Sequence, residues 1–405
     1  MSEPDIAALD ANDPLGAIRD RFVLPEKLIY LDGNSLGPAP KAAFDDFKQV
    51  IEEEWAQGLI GSWNSAGWFE SPKALGDRLG SLIGAAPGQS IVCDTTSINI
   101  FKAVNAALGL NKERRVIVSE LDSFPTDLYM LHGLDVELRL LGRDGDNLAN
   151  LIDNDVAVVL LSHVNYRTGA LFDMASINNL AHQAGALIVW DLCHSAGILP
   201  IELDKTQTDF AVGCTYKYLN AGPGAPAFIY VAERHIRAAR QPLSGWWGHA
   251  RPFAFEPGFD AHPGIEKFLC GSQPIISMAG VESGLDALEG VSIEAVREKS
   301  LTLTDLFISL CEPLCQEYGL VLETPGDTQR GSQVSFTFEH GFAVIRAMCD
   351  RGVIGDFREP DLMRFGFAPL FLRYADVTRA VEILEDCLKE KVWKNPAYTT
   401  RPAVT

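Results

Sequence analysis

The chain has 405 residues, 47% hydrophobic and 22% charged, enough for two or three domains around a well-buried core. Its formal net charge of −20 argues against nucleic acid or an anionic membrane surface as partner, because either would repel it; a locally positive site for an anionic cofactor remains compatible. No apolar run approaches the ~20 residues that span a bilayer. The acidic start MSEPDIAALDANDPLG lacks the apolar segment of a secretory signal, so a cytoplasmic protein is expected. The eight cysteines contain no CxxC pair, which fits neither a zinc site nor a disulfide framework; no metal is expected, and a reducing compartment is.

In chain order, residues 1–28 read as an arm with one short helix, followed by the turn-rich loop YLDGNSLGP (30–38). A helix is predicted over 41–57, with Phe44, Phe47, Val50, Ile51 and Trp55 spaced for one face. The stretch GSWNSAGWF (61–69) reads either as a loop pinned by Trp63 and Trp68 or as an aromatic wall for a flat substrate. After a helix over 71–84, a short strand at 91–92 runs into Asp94, Thr95, Thr96 and Ser97, and a helical pattern follows. Strand, hydroxyl cluster and helix start in that order make an anion site, where free N–H groups and the positive helix end face the ligand. Capping the helix would need only one of these hydroxyls.

A strand at 116–118 leads into DSFPTD (122–127), where Phe124 precedes a proline and Asp127 is placed to cap a helix. Next come a strand at 156–161, the loop HVNYRTG (163–169) and a helix over 173–184 that stops at Gly185. Apolar runs at 186–190, 210–214 and 227–231 give further strands. This alternation predicts an α/β fold with a mostly parallel sheet sandwiched by helices. Ligands of such sheets sit at the strands' carboxyl ends, where Ser97, Asp191 and Lys217 fall.

Lys217, in TYKYLNAGPG (215–224), is the residue most in need of a reason. A partly desolvated amine loses its proton readily and serves as nucleophile or base. With Asp191 at the end of the preceding strand and His194 three residues on, it suits a pyridoxal 5′-phosphate site: the lysine attaches the cofactor and the aspartate keeps its ring nitrogen protonated. Gly222, Gly224 and Ala227 match a dinucleotide-binding spacing, but that fingerprint must open a helix and this one opens a strand, so a tight turn is the better reading. From about 292 the pattern changes to helices at 293–317 and 377–390 flanking short strands at 333–338 and 363–367. We therefore expect an arm and helix (1–58) that belong with a small α+β domain (291–405), and a large cofactor-binding α/β domain (59–290).

The order of hydroxyl cluster, FPTD, DLCHSAG, TYKYLNAGPG and GWWGH resembles kynureninase, a fold-type I pyridoxal-phosphate enzyme; YLDGNSLGP and MRFGFAPLF (363–371) extend the match over nearly the whole chain. The resemblance implies that Lys217 carries the cofactor and Asp191, with Asp127, pairs with the pyridine nitrogen. Phe124 would stack on the ring. Thr96, Ser97 and Tyr216 would hold the phosphate, and His194 and Thr168 would support the cofactor. Trp246 and Ser272 look like positions that reach a phosphate in the neighbouring subunit, implying a homodimer with shared sites. Arg364 would clamp the substrate carboxylate, and Trp63 would face its aromatic ring. The implied reaction is hydrolysis of kynurenine, or 3-hydroxykynurenine, to an aryl acid and alanine in tryptophan catabolism, with Tyr216 as candidate proton donor at Cβ. Some members carry an asparagine near the GSQPI position (271–275) and a histidine within the GSWNSAGWF segment; unsubstituted kynurenine is expected to be preferred. The rivals are another class V enzyme, such as a cysteine desulfurase using Cys270, and a catalytically silent binding protein of the same fold.

Overall fold

The computed structural model describes residues 3–142 and 147–399. Its centre is a seven-stranded sheet in the order Ser90–Val92, Phe228–Val231, Phe210–Gly213, Leu187–Asp191, Val156–Ser162, Val116–Glu120, Glu137–Leu141. Phe228–Val231 runs antiparallel to both of its neighbours, and the remaining pairs are parallel. Successive residues of one strand feed opposite faces: Ile188 and Trp190 enter one apolar cluster and Val189 the other. The sheet is thus covered on both sides, as its unbroken apolar runs require.

The predicted strands of this sheet are present. Glu137–Leu141, at the sheet edge, was not anticipated, because its sequence ELRLL is half-exposed and diluted by charge. The helix expected over 41–57 is an α-helix, Ala43–Gln49, that widens into a π-helical segment, Val50–Gly58. Its apolar stripe is only partly buried: Val50 is buried, whereas Phe44 and Trp55 are 63% and 57% exposed. Asp127 is not a cap either, since the helix Pro125–Tyr129 begins after Phe124 and places Asp127 in its first turn. Asp173 does cap, accepting from Ser176 N at 3.1 Å, and Gly185 ends that helix with a positive φ.

The C-terminal part carries a four-stranded antiparallel sheet, in the order Asp356–Arg358, Leu362–Gly366, Gln333–Thr337, Val321–Leu322. The helices Ile293–Tyr318, Gly341–Asp350 and Tyr374–Lys389 pack with it and with each other. The N-terminal arm is sewn into this part: Ile29–Tyr30 pairs in parallel with Val353–Ile354, and Asp32 bridges to Gly366. Deeper in, Lys299 Nζ lies 2.6 Å from Asp13 Oδ2, with the two side chains 4% and 2% exposed. An ammonium so placed tolerates loss of its partner poorly. Asp13→Ala is expected to cost about 3–5 kcal/mol, seen as a lower urea midpoint, and adding Lys299→Met should recover most of the loss.

No helix among the described residues is long and apolar enough to cross a membrane. All eight cysteines are free thiols, five of them buried.

Candidate active site

A cavity of about 350 Å³ opens at the carboxyl ends of Val156–Ser162, Leu187–Asp191 and Phe210–Gly213. Its floor is the loop that follows Phe210–Gly213 and carries Tyr216 and Lys217. That loop is fixed from several sides. Thr215 Oγ1 donates to Pro226 O at 2.7 Å, and Gly37 N donates to Tyr216 O at 2.8 Å. The helix Ile275–Ala287 lies directly on it through Gly280 and Gly284, where a Cβ would come within 2.2 Å of Ala221 O and Leu219 O. Either glycine replaced by alanine would push the lysine loop away.

At one end of the cavity the helix Thr96–Leu110 begins. Thr95 is its cap, accepting from Ile98 N at 3.4 Å. Capping is thereby assigned to Thr95, and Thr96, its Oγ1 3.6 Å from Cys193 Sγ, and Ser97 line the cavity beside the helix's positive end. The turn into this helix is held by Asp94, whose φ is +47°: its carboxylate pairs with the fully buried Lys102, and its N–H donates to Gln273 Oε1 at 3.0 Å. These groups fit a phosphate.

In the middle, Asp191 and Asp127 are 6% and 1% exposed. Asp191 Oδ1 accepts from Cys193 N at 2.8 Å, and Asp127 Oδ2 accepts from Ser123 Oγ at 2.9 Å. Burial pushes both carboxyls above the usual carboxylate range, and for Asp127 the charge of Asp191 adds to the push. Two buried carboxylates that repel each other ask for a cation beside them, which a protonated pyridine nitrogen would be. Lys217 Nζ lies 2.8 Å from His194 Nε2. Burial, then the charges of Lys217, Arg364 and Arg358, hold His194 well below its ordinary value, so it stays neutral, and its Nδ1 has no partner among the described residues. Phe124 lines the mouth with its ring edge-to-face on Tyr166 at 5.3 Å. Burial and the neighbouring thiols of Cys214 and Cys193 push the Tyr216 phenol upwards, keeping it a proton donor at neutral pH.

The far wall comes from the C-terminal sheet. Arg364 donates from Nε to Asp356 Oδ1 at 2.7 Å and from Nη1 to Tyr166 O at 2.6 Å. Asp356 is held below the carboxylate range: burial opposes this, but Arg364 and Arg358 outweigh it. Burial, with Asp356 close by, raises Asp32 to about 7.

The kynureninase C-terminal domain family model matches residues 296–384. Kynureninase of Burkholderia pseudomallei (strain 1106a) is 53% identical over 409 residues, covering 98% of both chains. Kynureninase of Pseudomonas fluorescens is 50% identical over 412 residues, covering 99% of both. The chain belongs to the kynureninase family. Solved structures share its fold at much lower identity. Cysteine desulfurase from Thermococcus onnurineus NA1 superposes with a TM-score of 0.77 at 18% identity, over 92% of this chain and 98% of that one. A C-DES variant with glycine covalently linked to its PLP cofactor gives 0.80 at 16%, over 91% and 99%. These likenesses bear out the expected fold-type I architecture.

Of the positions expected from the sequence, Thr96, Ser97, Phe124, Asp127, Asp191, His194, Tyr216, Lys217 and Arg364 line this one cavity. Four others do not. Thr168 closes its own turn, donating to Asn165 Oδ1 at 3.3 Å and accepting from Ala170 N at 3.1 Å; Tyr166 of that loop lines the cavity instead. Trp63 and Trp246 pack together at 6.0 Å in a cluster with Trp68, Trp247 and Phe69, outside the cavity. Ser272 is exposed, next to the Gln273 that braces Asp94. Sequence reasoning missed Asn34, Ser35, Tyr166 and Arg358. The turn-rich character of YLDGNSLGP was a signal for the first two; nothing local marked Arg358.

Proposed function

We infer that the chain is a pyridoxal-phosphate-dependent hydrolase that converts L-kynurenine and water to anthranilate and L-alanine by cleaving the Cβ–Cγ bond, with the unsubstituted substrate preferred over 3-hydroxy-L-kynurenine. The observation that carries this reading is identity to kynureninases along the whole chain, with Lys217, Asp191 and Arg364 facing one cavity. When bound, the cofactor supplies an electron-accepting ring that makes the side-chain carbon–carbon bond breakable.

The chain's own residues do the rest. Thr96 and Ser97 bind the phosphate at the helix start, where N–H groups and the helix dipole favour an anion. Phe124 offers a flat face for the ring. Asp191, with Asp127 behind it, holds the proton on the ring nitrogen by placing negative charge against it. Lys217 takes a proton from the substrate Cα and delivers one back, and neutral His194 accepts a hydrogen bond from its ammonium form at Nε2. Tyr216, protonated at neutral pH, is the donor of the final proton to Cβ. Arg364 orients the substrate by its carboxylate.

A homodimer with shared sites belongs to the same reading. Trp63, Trp246 and Ser272 stand outside the cavity of their own chain, and Ile60, Phe253 and Phe255 near the aromatic cluster are 80%, 65% and 84% exposed. A second copy covering this surface would bring those side chains to its own cavity. We place the protein in the cytoplasm because a reducing compartment suits its eight free thiols.

Purified protein supplied with pyridoxal phosphate should release fluorescent anthranilate from kynurenine. Sulfide release from cysteine without anthranilate would favour a desulfurase, and no reaction with either would favour a silent binding protein.

A further inference from the structure

Arg364 was expected to offer its guanidinium fork to the substrate carboxylate, yet most of that fork is already engaged. Of the five N–H donors of a guanidinium, Arg364 directs Nε to Asp356 Oδ1, Nη2 to Asp356 Oδ2 and to Ser35 Oγ, and Nη1 to Tyr166 O. One N–H on Nη1 is left. A carboxylate has two oxygens to satisfy, and a single donor neither orients it nor balances its charge.

The sheet register shows where the second donor comes from. Asp356 sits directly opposite Arg364 on the neighbouring antiparallel strand, and Arg358 is two residues further along, so the three side chains share one face. Arg358 lines the same cavity, with its side chain 33% exposed and its Nη2 2.7 Å from Asp356 Oδ2. One carboxylate, Asp356, therefore anchors two guanidiniums. The charge of both also reaches His194 beside Lys217. The pair carries one more positive charge than Asp356 cancels, and the carboxyl of Asp32, raised to about 7, offsets that charge only in part.

We propose that Arg358 is a second ligand of the substrate carboxylate, sharing it with the remaining N–H of Arg364, and that Asp356 positions both. The inference rests on the reading of the site as one that binds kynurenine. It makes the subsite selective for a free α-carboxylate over an uncharged amide, because one arginine left without an anion would face the amide.

The test compares holoenzyme with Arg358→Gln and Arg358→Lys variants on L-kynurenine and on its carboxamide. For Arg358→Gln, KM for kynurenine should rise roughly tenfold or more, with the smaller part of the effect on kcat. The carboxamide, a poor substrate of the parent, should lose little further, and Arg358→Lys should recover part of the kynurenine KM. Equal losses on both substrates would mean a structural role, and a kynurenine KM within about twofold of the parent would mean no contact; either overturns the proposal. Should Arg358→Gln fail to melt cooperatively, Arg358→Lys decides by the same ratio of the two substrates. A parent that makes no anthranilate overturns the functional reading itself, whereas an active parent indistinguishable from its variants overturns this inference alone.

Discussion

Lys217→Ala is expected to abolish anthranilate release, with kcat lower by roughly 10⁴-fold or more, because the amine is both the attachment point and the only base placed for the Cα proton in this reading. The fold should survive. Lys217 extends into a cavity, and the hydrogen bond it makes through Nζ is to a neutral histidine. The loop is held by Thr215, Gly37 and the helix Ile275–Ala287, none of which touches the amine. Cofactor-free parent and variant should therefore melt within a few degrees of each other. Anthranilate fluorescence from a well-folded Lys217→Ala protein at even one hundredth of the parental rate, a threshold roughly a hundredfold above that expectation, would remove the lysine from the mechanism.

The second large effect is at Asp191. Asp191→Asn keeps an oxygen for the Cys193 N–H but removes the charge set against the ring nitrogen, and kcat should fall by roughly 10³-fold. Cofactor affinity should weaken in the same variant, read from a titration of bound chromophore. Stability should move the other way. Burial raises the folded pKa of Asp191, so its ionised form opposes folding once pH exceeds the unfolded carboxyl value, and it also repels Asp127. A neutral amide lifts both penalties. The cofactor-free Asp191→Asn protein is thus expected to melt at or above the parental temperature at neutral pH, a trade of stability against function familiar at catalytic sites. A variant with parental kcat would show that Asp191 is not the partner of the ring.

Much of the architecture was legible because its cause is local. The strands around Asp191 and Lys217 are continuous apolar runs, and burial on both faces leaves no other way to use Leu187–Asp191 or Phe210–Gly213. The hydroxyl cluster could be placed at a helix start because caps are written in the sequence, although only coordinates separated the capping Thr95 from Thr96 and Ser97. The edge strand Glu137–Leu141 stayed hidden, since an exposed strand needs no apolar alternation. The stripe had the right period, but only Phe47 and Val50 find partners, Phe47 against Gly280, while Phe44 and Trp55 stay exposed, a division periodicity cannot reveal. Arg358 was invisible for a different reason: the role proposed for it depends on the register that sets Asp356 opposite Arg364 and on how many donors Asp356 absorbs. Such facts arise from pairing segments that no motif links.

The carboxylate wall has one more consequence. It is assembled from segments far apart in sequence, Asn34 and Ser35 on one side and Arg358 and Arg364 on the other, whereas the groups proposed to hold phosphate and ring lie between Thr96 and Lys217. On the ribosome, the central sheet can close well before residue 364 emerges. On the roles proposed for these groups, discrimination among amino acids would be the last property the nascent enzyme acquires, and a chain truncated before the Leu362–Gly366 strand would keep the groups proposed to hold the vitamin while lacking those proposed to choose the substrate.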